Sequence, residues 1–203
     1  MAELLVASRN RKKLAELHRV LDAAALSGLT LLSLDDVPEF DEAPETGSTF
    51  EANALAKARD GFAATGLPTV ADDSGLEVAA LNGMPGVLSA RWSGVRGDDA
   101  GNTSLLLAQL RDVPDERRGA AFVSACALVS GSGEVVVRGE WPGAIAQGPR
   151  GDRGFGYDPV FIPDGDDRTA AQLTSAEKDA VSHRGRALAL LLPALRALAL
   201  PES

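Results

Sequence analysis

Apolar residues along the chain fall into short runs that alternate with stretches of helical period. Residues 4–7 form an apolar run that reads as a short strand leading into Ser8-Arg9-Asn10. Beyond it Leu14, Leu17, Leu21 and Ala24/Ala25 recur at helical spacing while Lys12, Lys13, Glu16 and Arg19 fall elsewhere, the pattern of an amphipathic helix. Residues 29–32 read as a second strand. Ser48-Thr49-Phe50-Glu51 matches the S-x-x-E capping box and predicts a helix carrying Phe50, Ala54, Lys57 and Ala58 to about residue 64. A strand over 67–71 then meets Asp72-Asp73-Ser74-Gly75, whose composition predicts a turn, and a Gly/Pro-rich region follows to Gly97. Asp98 and Asp99 open a helix with Leu105, Leu106 and Leu110. Residues 120–129 and 134–141 are β runs joined by Ser130-Gly131-Ser132-Gly133, a hairpin signal. Residues 159–162 form a short strand after a glycine-rich loop. Thr174-Ser175-Ala176-Glu177 is another capping-box match, and the remainder is helical with an interruption at Pro193.

Strands and helices alternate in the first half and a hairpin follows, which predicts an α/β fold with a mixed central sheet. No internal repeat or low-complexity linker divides the chain, so residues 1–203 read as one continuous domain, an organisation that allows two lobes around a cleft. Aromatic residues make up only 4% of the sequence, so the core must be built from Leu, Val and Ala. The formal charge of −9 argues against sequence-independent nucleic-acid binding, which needs clustered cations. It leaves a small polyanion open, because charges beyond about 8 Å are largely screened and a local basic cluster outweighs the total. Cys126 is the sole cysteine and lies in an apolar run, so no intrachain disulfide or thiolate metal site is expected and the thiol reads as buried. The N-terminal residues lack the pattern of a signal peptide. The most apolar stretch, residues 187–200, holds Pro193 and Arg196, so the expected location is the cytoplasm with no membrane partner.

The chain has no G-x-x-x-x-G-K-[ST], no G-x-G-x-x-G after a strand and no G-x-S-x-G, and its two histidines are too few for a His-rich zinc site. Several other groups carry potential chemistry. Ser8-Arg9-Asn10-Arg11-Lys12-Lys13, between a strand and a helix, is either a phosphate seat or a capped, solvated basic turn; cations in a first helical turn oppose the dipole and lean toward a functional reason. Asp72-Asp73, at the end of an apolar strand, are hard oxygen ligands suited to Mg²⁺ with one able to take a proton from water, or else they are polar turn residues. Glu45 is a further carboxylate for that metal or a solvated loop acid. Asn53 and Lys57, four apart on one helix face, are secondary candidates, Lys57 for phosphate. Gly154-Phe155-Gly156-Tyr157-Asp158-Pro159 offers aromatic rings for a base, or a tight turn with core anchors. Lys178, His183 and Arg184 form the last group. The run Leu188, Leu191/Leu192, Leu195 and Leu198 reads as core or dimer surface.

Taken together these blocks resemble the inosine triphosphate pyrophosphatase family, the bacterial dITP/XTP branch above all. The matching pieces are the Leu5-to-Lys13 segment, Glu45-Thr46-Gly47, Phe50 with Asn53-Ala54 and Lys57-Ala58, and Ala71-Asp72-Asp73-Ser74-Gly75-Leu76. Further pieces are Gly83-Met84-Pro85-Gly86-Val87 with Ser89-Ala90-Arg91-Trp92, the Gly154–Pro159 block, Glu177-Lys178 and Ser182-His183-Arg184. They stand in family order over nearly the whole chain. The resemblance implies an elongated central sheet flanked by helices, two lobes with a cleft between them, and a homodimer. It implies hydrolysis of dITP, ITP and XTP to the monophosphate and pyrophosphate, with Mg²⁺ as cofactor. It also implies that the segment from Ser8 to Lys13 binds phosphate, that Glu45 and Asp73 hold the metal with Asp72 assisting, and that Asp73 accepts the proton. Ser74 is expected to touch substrate, Phe155, Gly156, Tyr157 and Asp158 to line base and sugar, and Lys178, His183 and Arg184 to close over the purine. Arg9, in place of a small residue, and Ala52, where an acidic residue often precedes Asn53, depart from the pattern. The alternatives are a related nucleotide pyrophosphatase of different base preference and a non-catalytic nucleotide-binding protein.

Overall fold

The computed structural model describes residues 2–10, 14–15, 18–19, 22, 28–41 and 44–199. Its strands are β1 (Ala2–Val6), β2 (Leu29–Ser33), β3 (Thr69–Val78), β4 (Gly119–Ser130), β5 (Gly133–Ile145) and β6 (Phe161–Pro163). They make one sheet in the order β2-β1-β3-β4-β5-β6. β1 runs parallel to both β2 and β3, and β6 is antiparallel to β5, so the sheet is mixed as predicted. The two-residue link Gly131-Ser132 joins β4 to its neighbour β5, a connection that only antiparallel strands permit. The main helices among the described residues are α1 (Phe50–Thr65), α2 (Asp99–Gln109), α3 (Ser175–Val181) and α4 (His183–Ala199). Leu14, Ala15, His18, Arg19 and Asp22 are helical as the periodicity requires; Leu17, Leu21, Ala24 and Ala25 lie outside the described residues. No helix among the described residues is long and apolar enough to cross a membrane.

The chain separates into two compact units. One comprises the residues up to Asp73, Ser124–Gly139 and those from Arg184 on; the other comprises Ser74–Val123 and Glu140–His183. In the first, Leu4, Val6, Val70, Cys126 and Leu128 of the strands pack with Ala187, Leu188, Leu191 and Leu195. Leu188, Leu191 and Leu195 of α4 are therefore core with Leu198 packed against them, and Cys126 is fully buried, as its apolar setting implied. Pro193 does not end α4. The helix passes through it, with Ala189, the residue whose carbonyl Pro193 cannot serve, exposed to water. In the second unit Leu76, Val78, Leu106, Leu110 and Val160 pack around Phe122, Trp141, Tyr157 and Phe161. Scarce as they are, the aromatics are concentrated here.

Two local expectations are corrected. The cap of α1 is Thr49, not Ser48: Thr49 Oγ1 accepts the Ala52 N–H at 3.1 Å, and Glu51 pairs with Arg138 at 3.2 Å. The residue three past Thr49 is Ala52, whose methyl side chain cannot complete a box. The second correction concerns Asp72-Asp73-Ser74-Gly75, which lie inside β3 rather than in a turn. β3 sits between β1 and β4 and is buried from Thr69 through Asp73, so ladder pairing on both edges overrides the turn propensity of these four residues.

Candidate functional site

β1 and β3 are adjacent parallel strands paired at Val6 and Val70, and the Ala7 N–H donates to the Val70 carbonyl at 2.8 Å. Extending that register sets Ser8, just past the end of β1, level with Asp72. The chain leaves β1 toward β2 on one side, while β3 lies on the other. This is a strand-order reversal of the kind at whose carboxyl ends α/β proteins place ligands. Asn10 N–H faces Ser8 Oγ at 3.4 Å, and Arg9 and Asn10 are exposed. Arg11, Lys12 and Lys13 lie outside the described residues.

Helix α1 crosses back from β2 to β3 and brings Asn53 and Lys57 to the same strand. It packs closely: a Cβ on Gly61 would stand 2.7 Å from Thr69 Cγ2 and 3.2 Å from Leu5 Cδ2. Because side chains alternate along a strand, Asp72 and Asp73 project to opposite faces of the sheet. Asp73 points to α1, where Asn53 Nδ2 donates to its Oδ2 at 2.9 Å and Lys57 Nζ lies 3.8 Å from its Oδ1. Asp72 points the other way, its Oδ2 3.5 Å from Arg184 Nε. The Lys57 ammonium also lies 2.5 Å from Glu45 Oε1 and donates to the Asp72 carbonyl at 3.3 Å. Glu45, Asp73 and Lys57 are thus brought together, with Asp72 contributing its backbone to that group and its side chain to Arg184.

The electrostatics follow from burial and charge. Burial alone would pull the Lys57 pKa down, but Asp73, Glu45 and Asp72 outweigh it and hold the ammonium above its ordinary value. Arg184 is 1% exposed, and burial draws its pKa down to about 10, which still leaves it charged at neutral pH. Between Glu45 and Asp73 the lysine does what any cation would do there. Mg²⁺ binds through one or two carboxylates and keeps waters and substrate phosphates for the rest, so a two-carboxylate seat with a cation already between its oxygens fits that ion. Among the described residues no group of three or more His, Cys, Asp or Glu is placed to make a fuller protein cage.

The predicted residues from Ser74 through His183 lie in the second unit. Lys178 Nζ is paired with Asp158 Oδ2 at 2.7 Å, both side chains buried, and stands 5.1 Å from the centroid of the Phe155 ring. The same carboxylate oxygen accepts the Phe155 N–H at 2.8 Å. Gly154 must be glycine on two counts, a φ of +76° and the collision a Cβ would make with Asp158. Gly156 N–H donates to Asp99 Oδ2 at 2.9 Å. Phe155 is half-buried, whereas Tyr157 is 3% exposed, belongs to the core, and donates its hydroxyl to the Ser89 carbonyl at 2.8 Å. Burial, with Asp99 nearby, pushes the Tyr157 phenol well above its usual pKa. Glu177 caps α3 with Thr174 as the box predicted; its hydrogen bonds to Thr174 and Arg168 lower its pKa to about 2. His183 is stacked on Phe122, centroids 5.0 Å apart at 14°, and lies nearly parallel to Trp141 at 6.5 Å. Ser74 is half-buried beside Asp73 in sequence.

Sequence reasoning gave no role of their own to Phe122 and Trp141, which back His183, or to Ser89, which receives Tyr157. The scarcity of aromatics was a signal for the first two, but nothing in the spacing links strands β4 and β5 to the start of α4.

Comparison with known proteins bears on the family and the fold. The Ham1 family pattern matches residues 4–194. A Mycobacterium bovis protein named dITP/XTP pyrophosphatase is 83% identical over 199 residues, covering 98% of each chain. The crystal structure of a nucleoside-triphosphatase/dITP/XTP pyrophosphatase from Mycobacterium abscessus is 70% identical with a TM-score of 0.79, covering 95% of this chain and 99% of that one. A HAM1 protein from Coxiella burnetii is 42% identical with a TM-score of 0.85, covering 97% of this chain and all of its own. A match over nearly the full length, at such identity and with the same fold, means that the chain belongs to the Ham1 family.

Proposed function

We propose that this protein is a nucleoside triphosphate pyrophosphohydrolase that converts dITP, ITP and XTP to the monophosphate and pyrophosphate. The observation that carries the reading is the grouping of Glu45, Asp73 and Lys57 beside the carboxyl end of β1, in a chain 83% identical to a protein named dITP/XTP pyrophosphatase.

In this reading water attacks the α-phosphorus, the bond to the bridging oxygen breaks, and pyrophosphate departs with that oxygen. Asp73 takes the proton from the attacking water. Glu45 and Asp73 would hold Mg²⁺, with Asp72 beside Asp73 on β3. Bound there, the ion supplies positive charge against the phosphate oxygens. Lys57 and the segment from Ser8 through Lys13 add hydrogen bonds and positive charge to the phosphates; stabilising developing charge in this way is usually the largest catalytic contribution. Ser74 contacts the substrate.

At the base end, Phe155 is the ring read as stacking on the base, and Gly156, Tyr157 and Asp158 shape the loop. Lys178, His183 and Arg184 act on the purine edge. A 6-oxo purine presents an acceptor where adenine presents an amino donor, so an N–H donor aimed there leaves adenine mispaired. Sites built on such polar matches discriminate by roughly 10⁴-fold or more. The enzyme is read as a cytoplasmic homodimer acting on free nucleotides.

The test incubates purified protein with ITP, XTP, dITP, GTP and ATP, with and without Mg²⁺, and identifies the products. Pyrophosphate release from the first three, dependent on the metal, is expected. Release of orthophosphate would overturn the reaction, and equal rates on ATP would overturn the specificity.

A further inference from the structure

Asn53 is uncharged, 3% exposed, and lies on the inner face of α1. Its two polar atoms are both committed. Nδ2 donates to Asp73 Oδ2 at 2.9 Å, and Oδ1 accepts the Gly47 N–H at 2.8 Å. The second bond settles the first. A backbone N–H can only donate, so the amide oxygen must face Gly47 and the NH₂ must face the carboxylate. Gly47 is two residues from Glu45, so one side chain ties the loop bearing Glu45 to the strand bearing Asp73. The approach is close enough that a Cβ on Gly47 would stand 2.5 Å from Asn53 Oδ1.

The two oxygens of Asp73 are thereby made different. The final torsion of an aspartate is broad and nearly two-fold, so without a fixed partner either oxygen could turn to Lys57. With Oδ2 held by the amide, Oδ1 is the atom on the Lys57 side, 3.8 Å from Nζ. From these bonds we infer that Asn53 is a positioning residue: it fixes the rotation of the Asp73 carboxylate and sets the Glu45 loop against it, with Oδ1 turned to Lys57. The inference rests on the reading of Asp73 as proton acceptor. Asn53 itself touches no substrate in this assignment.

The experiment is a double-mutant cycle in the full chain with ITP and Mg²⁺, using Asn53→Ala, Asn53→Asp and Asp73→Asn singly and in pairs. Asn53→Asp keeps the shape and removes the donor, so it carries the test if Asn53→Ala does not fold. A misplacement of about 1 Å can cost about 10²-fold, so kcat for either single Asn53 variant falls roughly 10- to 100-fold while KM stays within about threefold. In the Asp73→Asn background the Asn53 substitution changes the residual rate by less than about twofold, because residues acting as one unit are not additive. A crystal structure of Asn53→Asp shows the Asp73 carboxylate rotated away from its position against Lys57. Full additivity of the two losses, or a raised KM at unchanged kcat, would overturn the inference and make Asn53 a structural or substrate-contacting residue. Near-normal turnover of Asp73→Asn alone would instead remove the proton-acceptor reading, and with it the carboxylate to be positioned.

Discussion

Replacing Lys57 by methionine keeps most of the side-chain volume and deletes the charge that lies between Glu45 and Asp73. Lys57 Nζ is 2.5 Å from Glu45 Oε1 and 3.8 Å from Asp73 Oδ1, with the lysine side chain 15% exposed. At an effective dielectric of about 20, a unit-charge pair 4 Å apart attracts by roughly 4 kcal/mol before desolvation is subtracted. Removing one member of a largely buried pair costs about 3–5 kcal/mol, since the partners are left buried and unneutralised. For a chain of this length ~1 kcal/mol moves Tm by about 2–4 °C, so Lys57→Met should melt roughly 6–20 °C lower without divalent ions. Magnesium should then restore more of the loss in Lys57→Met than it adds to the wild type, where the ammonium already neutralises the pair. The pH dependence gives a second sign. The folded-state pKa of Lys57 is raised above 10.5, so its stabilisation is complete below that pH and fades as the pH rises through the folded value. The wild type should therefore lose its advantage over Lys57→Met only in strongly alkaline solution. Scanning calorimetry with and without Mg²⁺ measures all three. An Mg²⁺-free Tm for Lys57→Met equal to that of the wild type would refute the reasoning.

Two further substitutions separate the chemistry from binding. Asp73→Asn should lower kcat by about 10²-fold or more, as loss of a general base does, and steady-state rates near those of the wild type would move the base elsewhere. Phe155→Ala removes the half-buried ring under Lys178 and should mainly raise KM for ITP; an unchanged KM would argue against base stacking.

The fold was largely legible because its signals are local. Residues 120–129 and 134–141 with the glycine turn between them gave the hairpin, and Thr174 with Glu177 gave the cap of α3 that the structure contains. Asp72-Asp73-Ser74-Gly75 were misread as a turn because their propensity is local while the pairing that holds them in β3 comes from strands distant in sequence. The same limit shaped the reading of the site. Two adjacent aspartates suggested a shared cation, yet the strand sends their side chains apart, Asp73 to Lys57 and Asp72 to Arg184. Glu45 and Lys57 were recognisable as candidates, but spacing has no means of showing that a loop and a helix face bring them to 2.5 Å. The Phe122–His183 stack joins residues some sixty positions apart, and only the folded chain reveals it.

In the proposed reaction water adds to the phosphorus next to the sugar. Hydrolysis of ITP in ¹⁸O-labelled water, with the products separated and weighed by mass spectrometry, locates that step directly. The label should appear as a single heavy oxygen in the inosine monophosphate, with the pyrophosphate unlabelled. Heavy oxygen in the pyrophosphate and none in the nucleotide would contradict it.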